Sequence, residues 1–419
     1  MKNIQLLLVI CLLGLSMGCK KNDDNAPMEI ALQNEPPLSF DLINVPDGAE
    51  DVDVTPTLSW ESAKNPKGGE VTYDLYLGSE VNPTTLFQGD INDTSFEITD
   101  RLYLLSDYYW KIVAKDADGK TSQSSVHKFS TRNLNFSEEA ITYAANFTAR
   151  FRHSTVVFKN KIWVIGGFGD EGYLNDVWHS DDGLNWTEAT SSAGFSSRFG
   201  HTSVVFNDKI WVIGGYDGAQ QNDVWSSDDG ANWMEVTSSA QFSERNGHSS
   251  VVFDNKIWVI GGNEDSDIWY SSDGTNWIVA VAENPFLKRT NHASMVFDKK
   301  IWLVGGSYFE KLKNDIWYSS DGINWMKAAS NSNFSSRENH ALIPFRGKLW
   351  VIGGRVSYGV DGLQNDIWYS SDGLHWNQSD DNAPFSKRMS HSSVIYNDRL
   401  WNVGGVDSED FKNDIWAMD

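Results

Sequence analysis

Cysteine is almost missing from this chain. Two of the 419 residues are Cys, at positions 11 and 19, and Cys11 lies inside an N-terminal apolar run. With that run removed as a signal, a disulfide framework, a thiolate metal site and a cysteine nucleophile are all excluded. Long hydrophobic stretches are missing too. The run from Ile4 to Leu15, interrupted by Gln5 and Gly14, is too short to span a bilayer stably and reads as the core of a signal peptide. Positive charge is scarce: 34 Lys and Arg stand against 57 Asp and Glu, a formal net charge of -23. Such an excess of carboxylates repels phosphate backbones, so no nucleic acid is expected as a partner. The sequence has no Gly-rich phosphate loop, no HExxH and no His-x-x-x-His spacing. No cofactor and no metal are expected.

Tryptophan, in contrast, is abundant, and seventeen of the nineteen lie after residue 160. They belong to a sixfold repeat, which makes most of them core. Each copy opens with Arg-x-x-His, at His153, His201, His248, His292, His340 and His391. Each closes on a Gly pair, beginning at Gly166, Gly214, Gly261, Gly305, Gly353 and Gly404. The histidines are 44 to 51 residues apart, the length of a propeller blade made of short strands. Two β-rich runs, such as 249–253 and 256–260, flank a two-residue turn at Asp254-Asn255. The equivalent turns are Lys159-Asn160, Asn207-Asp208, Asp298-Lys299, Arg346-Gly347 and Asn397-Asp398, mostly residues that tolerate positive φ. An Asn-Asp-aromatic third strand follows, then Ser-x-Asp-Gly-x-Asn/His-Trp, whose Trp begins a fourth.

Together these features resemble kelch repeats over about residues 139 to 419. The resemblance implies an all-β chain whose main unit is a six-bladed propeller like the central domain of galactose oxidase. The Ser-Asp-Gly-Trp hairpin is similar to the Asp-box of sialidases, one residue shorter between Gly and Trp. In those families the box is a peripheral turn, so Asp182, Asp229, Asp273, Asp321 and Asp372 read as turn-capping carboxylates rather than metal ligands. Glu139 to Arg150 aligns with Thr187 to Arg198, so residues 139–146 are expected to supply the outer strand of the last blade and close its open edge.

The expected organisation is a signal peptide at 1–18, a flexible tether at 19–37, a β-sandwich module at 38–133 and the propeller at 134–419. In the module PTLSWESA, VTYDLYLG and YYWKIVAKDADGKT resemble fibronectin type III sequence, a fold that serves mostly as a spacer. Its Asp116-Ala117-Asp118-Gly119 lacks the remaining ligands of a calcium loop and reads as a hairpin turn. Ser16-Met17-Gly18-Cys19 resembles a bacterial lipoprotein cleavage site, although Leu15 stands one place further from the Cys than usual. That resemblance implies lipidation of Cys19 and an outer-membrane lipoprotein facing the cell surface or the periplasm. An ordinary cleaved secretory signal is the alternative. Lys20 with the acidic residues behind it resembles the export signal of surface lipoproteins in the Bacteroidetes group, or is simply a solvated linker.

Residues repeated in every blade hold blades together, so Arg150, Arg198, Arg245, Arg289, Arg337, Arg388 and the six histidines read as scaffold satisfying carbonyls around the Gly turns. Positions that break the pattern say more about a ligand. Between Arg and His stand Phe151, Arg152, Phe199, Asn246 and Glu338; after the Gly pairs come Phe168, Tyr216 and Arg355; longer loops add Tyr308 and Tyr358. Aromatics with an Arg and a Glu suit stacking on sugar rings or gripping a peptide. The expectation is a non-catalytic envelope lipoprotein binding a glycan or protein ligand. The alternative is a carbohydrate-active enzyme, a glycan hydrolase or one like the sialic acid epimerases with six kelch repeats, using the same face. The copper chemistry of galactose oxidase is excluded, because its crosslinked Cys has no counterpart after the signal.

Overall fold

A computed structural model describes residues 35–263, 265–281, 286, 288–329 and 332–419. The expected signal, Cys19 and nearly all of the tether lie outside the described residues. Among the described residues every regular element is a β-strand, except one 3-10 turn at Val360–Gly362.

The N-terminal part is two sheets face to face. One holds Leu42–Asn44, Thr57–Trp60 and Ser95–Glu97; the other runs Ala49–Val52, His127–Thr131, Asp107–Asp116, Val71–Gly78, Leu86–Ile91. Period-two alternation points Tyr73, Leu75 and Leu77 inward against Trp60, Trp110 and Phe129, all buried. Asp116 Oδ1 accepts the backbone N–H groups of Asp118 and Lys120 at 3.0 and 2.8 Å, so this carboxylate caps a turn.

From Ser154 onward come five four-stranded antiparallel sheets, one of three strands, Ser392–Tyr396, Arg399–Val406 and Phe411–Met418, and a small two-stranded hairpin, Ser307–Tyr308 with Lys311–Leu312. The first strands of successive sheets neighbour one another, and Ser392–Tyr396 neighbours Ser154–Phe158, so the sheets close into a ring. Residues 135–145 run beside Phe411–Met418: Asn135 N donates to Asp419 O at 2.8 Å, Ile141 N to Ile415 O at 2.8 Å and Ala145 N to Asn413 O at 3.0 Å. An early segment of the chain thus pairs with its last strand.

All six first hairpins turn through two residues with φ between 44° and 73°. Lys159, Lys299 and Arg346 accept the left-handed conformation along with the Asn and Asp positions, because only a turn of that hand matches the strand twist. Neighbouring sheets are keyed together by tryptophan on glycine. The rings of Trp163, Trp211, Trp258, Trp302 and Trp401 lie over Gly230, Gly274, Gly322, Gly373 and Gly183 of the adjacent Ser-x-Asp-Gly hairpin. A Cβ at any of these glycines would come within 2.0 to 2.2 Å of a ring carbon. Trp350, the sixth of the set, is fully buried in a cluster it shares with Leu102 and Leu104 of the N-terminal part.

That N-terminal part is packed on the ring rather than strung from it as a free spacer. Tyr103 covers the turn at Gly347, and Leu104 N donates to Arg346 O at 3.3 Å. Lys348 is buried, donating to Ser106 Oγ at 3.0 Å and Ser371 Oγ at 2.8 Å, whereas its counterparts Lys161, Lys209, Lys256 and Lys300 are partly exposed. Arg132 Nη1 donates to Asp419 O at 2.8 Å, tying the two units at the closing strand.

At φ +73° a Cβ on Gly347 would lie 2.4 Å from Tyr103 Cγ. Gly347→Ala is expected to cost about 2 kcal/mol, from strain and overpacking together. Combined with Tyr103→Ala it should show a coupling of about 1 kcal/mol in a double-mutant cycle by urea denaturation. Simple additivity of the two changes would refute the joint.

Candidate functional site

Three concentric sets of residues build the face around the ring axis. The first is the repeated arginine. Arg150 Nη1 donates to Gly166 O at 2.9 Å, and its two Nη groups clamp Asp176 at 2.7 Å each. Arg198, Arg245, Arg289, Arg337 and Arg388 do the same with Asp223, Asp267, Asp315, Asp366 and Asp414. All six guanidinium groups are at most 1 % exposed. Each is neutralised inside its own sheet, so they present no cationic ring to a ligand. The carboxylate partner is the Asp of the Asn-Asp-aromatic segment. Its recurrence in all six copies was the available signal for it.

The second set is the histidines, four of which face backbone carbonyls, His153 at Val403, His201 at Ile165, His248 at Ile213 and His292 at Ile260, and also reach a hydroxyl of the neighbouring sheet. His201 Nε2 meets Ser154 Oγ of the preceding sheet at 2.9 Å, and His248, His292 and His153 meet Thr202, Ser249 and Ser392 in the same way. At the other two junctions Ala293 and Ala341 replace the hydroxyl, leaving Nε2 of His340 and His391 unpartnered.

The third set is a closed ring of backbone hydrogen bonds around the axis. Arg152 N donates to Ser390 O, Ser390 N to Asn339 O, and so on through Asn291, Gly247 and Gly200 back to Arg152 O, each at 2.8 to 3.0 Å. All six residues have φ between 50° and 63°. This left-handed conformation lays their N–H and C=O groups in the plane of the ring, and Asn and Gly are the residues that adopt it at least cost.

The irregular positions lie just above these sets, paired across each sheet. Phe151 exchanges backbone bonds with Phe168, Phe199 with Tyr216, and Glu338 with Arg355, while Asn263 N donates to Asn246 O. The face has two halves. On one, Phe151 stacks between Phe411 and Phe199 with centroids 5.0 and 6.4 Å away, Tyr173 stacks on Phe199 at 5.6 Å, and Phe168 and Tyr216 meet them edge-on. Tyr173 and Phe411 escape sequence reasoning, because they stand at the start of third strands that follow loops of unequal length, which no repeat aligns.

On the other half, Glu338 is 1 % exposed and accepts from Arg355 Nη2, from Ser307 Oγ at 2.5 Å and from Asn291 Nδ2 at 3.1 Å. Burial opposes its ionisation, but these three donors outweigh it and hold the carboxyl below its ordinary pKa. Glu338 is therefore a buried anchor under Arg355 rather than a contact surface. Arg355 lies 4.5 Å from the centre of the Tyr358 ring, whose phenol is pushed up by burial and by the Glu338 charge. Tyr308 packs against Phe309 at a hairpin tip, centroid to centroid 4.3 Å, and Asn246 O accepts from Asn263 N at 3.1 Å. Arg152 joins the halves. Its guanidinium lies 5.5 Å from the Phe199 centroid, without an acidic partner within 4.0 Å among the described residues.

The peripheral hairpins take no part in this face. Asp182 Oδ1 accepts the N–H groups of Leu184 and Asn185 at 2.8 Å, and foremost the Asn185 N–H holds its pKa at about 2. At Asp229, Asp273, Asp321 and Asp372 burial works against ionisation, yet the same turn donors keep the pKa at about 2.

Residues 114–276 match the family described as the KLHDC2/KLHL20/DRC7 Kelch-repeats domain. That segment is similar to kelch-repeat sequence, and the closed ring of antiparallel sheets is a β-propeller. Among solved structures, "Structure of YjhT" aligns with a TM-score of 0.55 at 16 % identity, covering 66 % of this chain and 97 % of that one. The alignment extends the likeness of fold well beyond the matched family segment. No curated protein matches the chain. The family match begins within the last strands of the N-terminal part and takes in the first two propeller sheets and most of the third.

The histidine set makes the propeller acid-labile. Burial first, and then the charge of the arginine in the same sheet, holds His201, His292 and His391 at about 3, and holds His153, His248 and His340 well below the usual imidazole value. Above pH 6.5 they are neutral in both states. Below it the unfolded chain takes up protons that the folded ring refuses, so His201, His292 and His391 each remove up to about 1.4 kcal/mol per pH unit down to about pH 3, and His153, His248 and His340 act in the same direction. The melting temperature should be flat from pH 8 to about 6.5 and fall steeply below. A melting temperature constant down to pH 4 would contradict this.

Proposed function

We propose that this chain is a non-catalytic envelope lipoprotein, lipidated on Cys19, whose six-bladed kelch propeller binds a glycan or protein ligand on the face around Arg152. The observation that carries the reading is the unpaired guanidinium of Arg152 set between an aromatic wall and the Arg355–Tyr358 pair. A half-desolvated cation beside rings offers both stacking area and a directional polar contact, the two ingredients of small-ligand and peptide sites. The flanking unit, read as a fibronectin type III module at 38–133, then fixes the orientation of that face through the Tyr103–Gly347 joint. The tether at 19–37 supplies reach, and the face lies outside the membrane, on the periplasmic or the extracellular side.

Catalysis by an epimerase-like or hydrolase-like route has less support. General acid–base work needs two groups free to trade protons near neutral pH. Glu338 is saturated by three donors and kept ionised, and the nearby Tyr358 phenol is shifted away from neutrality.

The test is a glycan-array and pull-down screen with the full chain, repeated with Arg152→Gln, Tyr216→Ala and Arg355→Ala. Each change is expected to weaken the selected ligand about tenfold, or about 1.4 kcal/mol. Undiminished binding in all three would move the site elsewhere. For the anchor, Cys19→Ala should abolish incorporation of an alkyne fatty acid and release the protein from the membrane fraction; retained label would rule out lipidation at Cys19.

A further inference from the structure

The backbone ring encloses a cavity of about 150 Å³ on the axis, and its lining is one-sided. Three consecutive members of the ring, Asn339, Ser390 and Arg152, carry hydrogen-bond donors. Asn339 Nδ2 and Ser390 Oγ are buried without a partner, and Ser390 as a whole is 7 % exposed. His340 and His391, which follow Asn339 and Ser390 in the chain, line the same arc with Nε2 unpartnered, because Ala293 and Ala341 stand where the other junctions have a hydroxyl. In the Nε2–H tautomer both are donors as well. The opposite arc offers no free donor from its ring residues: Gly200 and Gly247 have no side chain, Asn291 donates its amide to Glu338, and Nε2 of His153, His201, His248 and His292, which also line the cavity, is engaged by hydroxyls.

Charge points the same way as the donors. The six repeated arginines are each clamped by an aspartate, and Glu338 is paired with Arg355. Arg152 is left as a cation in excess at the mouth of the cavity. Buried donors without acceptors are costly, and native proteins seldom leave several together. Several donors converging under an unpaired guanidinium call for an acceptor that carries negative charge. At about 150 Å³ the cavity has room for one small ion with part of its hydration shell.

We propose that this axial cavity is a binding site for one small monovalent anion, held by Arg152, Ser390 and Asn339 and stabilising the closed ring. Chloride and bromide are the probes. This site shares Arg152 with the ligand reading above but rests on the buried donors of Ser390 and Asn339, so the double variant distinguishes its failure from failure of that reading.

The experiment is thermal denaturation of the purified full chain at constant ionic strength, with sodium chloride or bromide replacing sodium gluconate, whose anion is too large to enter. A saturable rise in melting temperature is expected, roughly 4 °C by 150 mM for millimolar affinity. The double substitution Ser390→Gly with Asn339→Gly keeps the left-handed backbone and should abolish the rise, and Arg152→Gln should weaken it at least tenfold in apparent affinity. Crystals of the unsubstituted protein soaked in bromide should show an anomalous peak inside the ring, a readout that stands even where a variant fails to fold. Equal melting in gluconate and chloride, a rise that persists in the double variant, or bromide at the outer surface alone would each overturn the proposal.

Discussion

Six buried guanidinium groups carry the geometry of the propeller's axis. Each repeated arginine binds the first glycine carbonyl of its Gly pair and clamps the aspartate of the third strand. Each also lies 5.2 to 5.7 Å from the centre of the phenylalanine three residues before it. The aspartate in turn accepts the indole N–H of the tryptophan two residues on, at 2.6 to 2.9 Å. One ion pair therefore fixes the loop into the blade, the glycine turn, the third strand and an aromatic of the outer layer. Such a pair gains little over a hydrophobic substitute, but removing one partner strands a buried charge at about 3 to 5 kcal/mol. Its value lies in setting one geometry for the strand ends.

That neutralisation shapes what the face can do. Because the repeated charges cancel within each sheet, the local field on the axis comes from the few positions that differ, chiefly Arg152, Glu338 and Arg355. Two of these pair with each other, and the third stays free against the Phe199 ring. Among the described residues Arg152 is thus a cation near the axis of an acidic protein with no carboxylate in ion-pair contact. The aromatic half, from Phe411 to Tyr173, gives that cation a wall.

The N-terminal unit contributes rigidity rather than length. Tyr103 on Gly347, buried Lys348 and the Arg132 bond to Asp419 couple it to the sheet ends that complete the ring. The fully buried Trp350 belongs to the same cluster as its leucines, so strain or loss at this joint is felt in the propeller core.

The repeated part of this architecture was readable from the chain, because a residue type recurring at blade spacing reports a local constraint that every copy must meet. The two-residue turns, the strand-forming runs and the Asp-capped hairpins are of this kind: their physics is contained within a few residues. The sequence also marked Phe151, Phe168, Phe199, Tyr216, Arg152 and Arg355 as irregular. It left open which of them meet, since their contacts cross from one sheet to the next. Tertiary structure alone placed Glu338 beneath Arg355 instead of on the surface, added Tyr173 and Phe411 to the wall, and turned the histidines toward neighbouring hydroxyls. It also left two of those histidines without partners and docked the N-terminal unit on a turn whose glycine looks ordinary in the sequence. Sequence determined what each blade is, through local conformation and period; the closing of the ring decided which side chains share a space, because that depends on distances between residues about 48 positions or more apart.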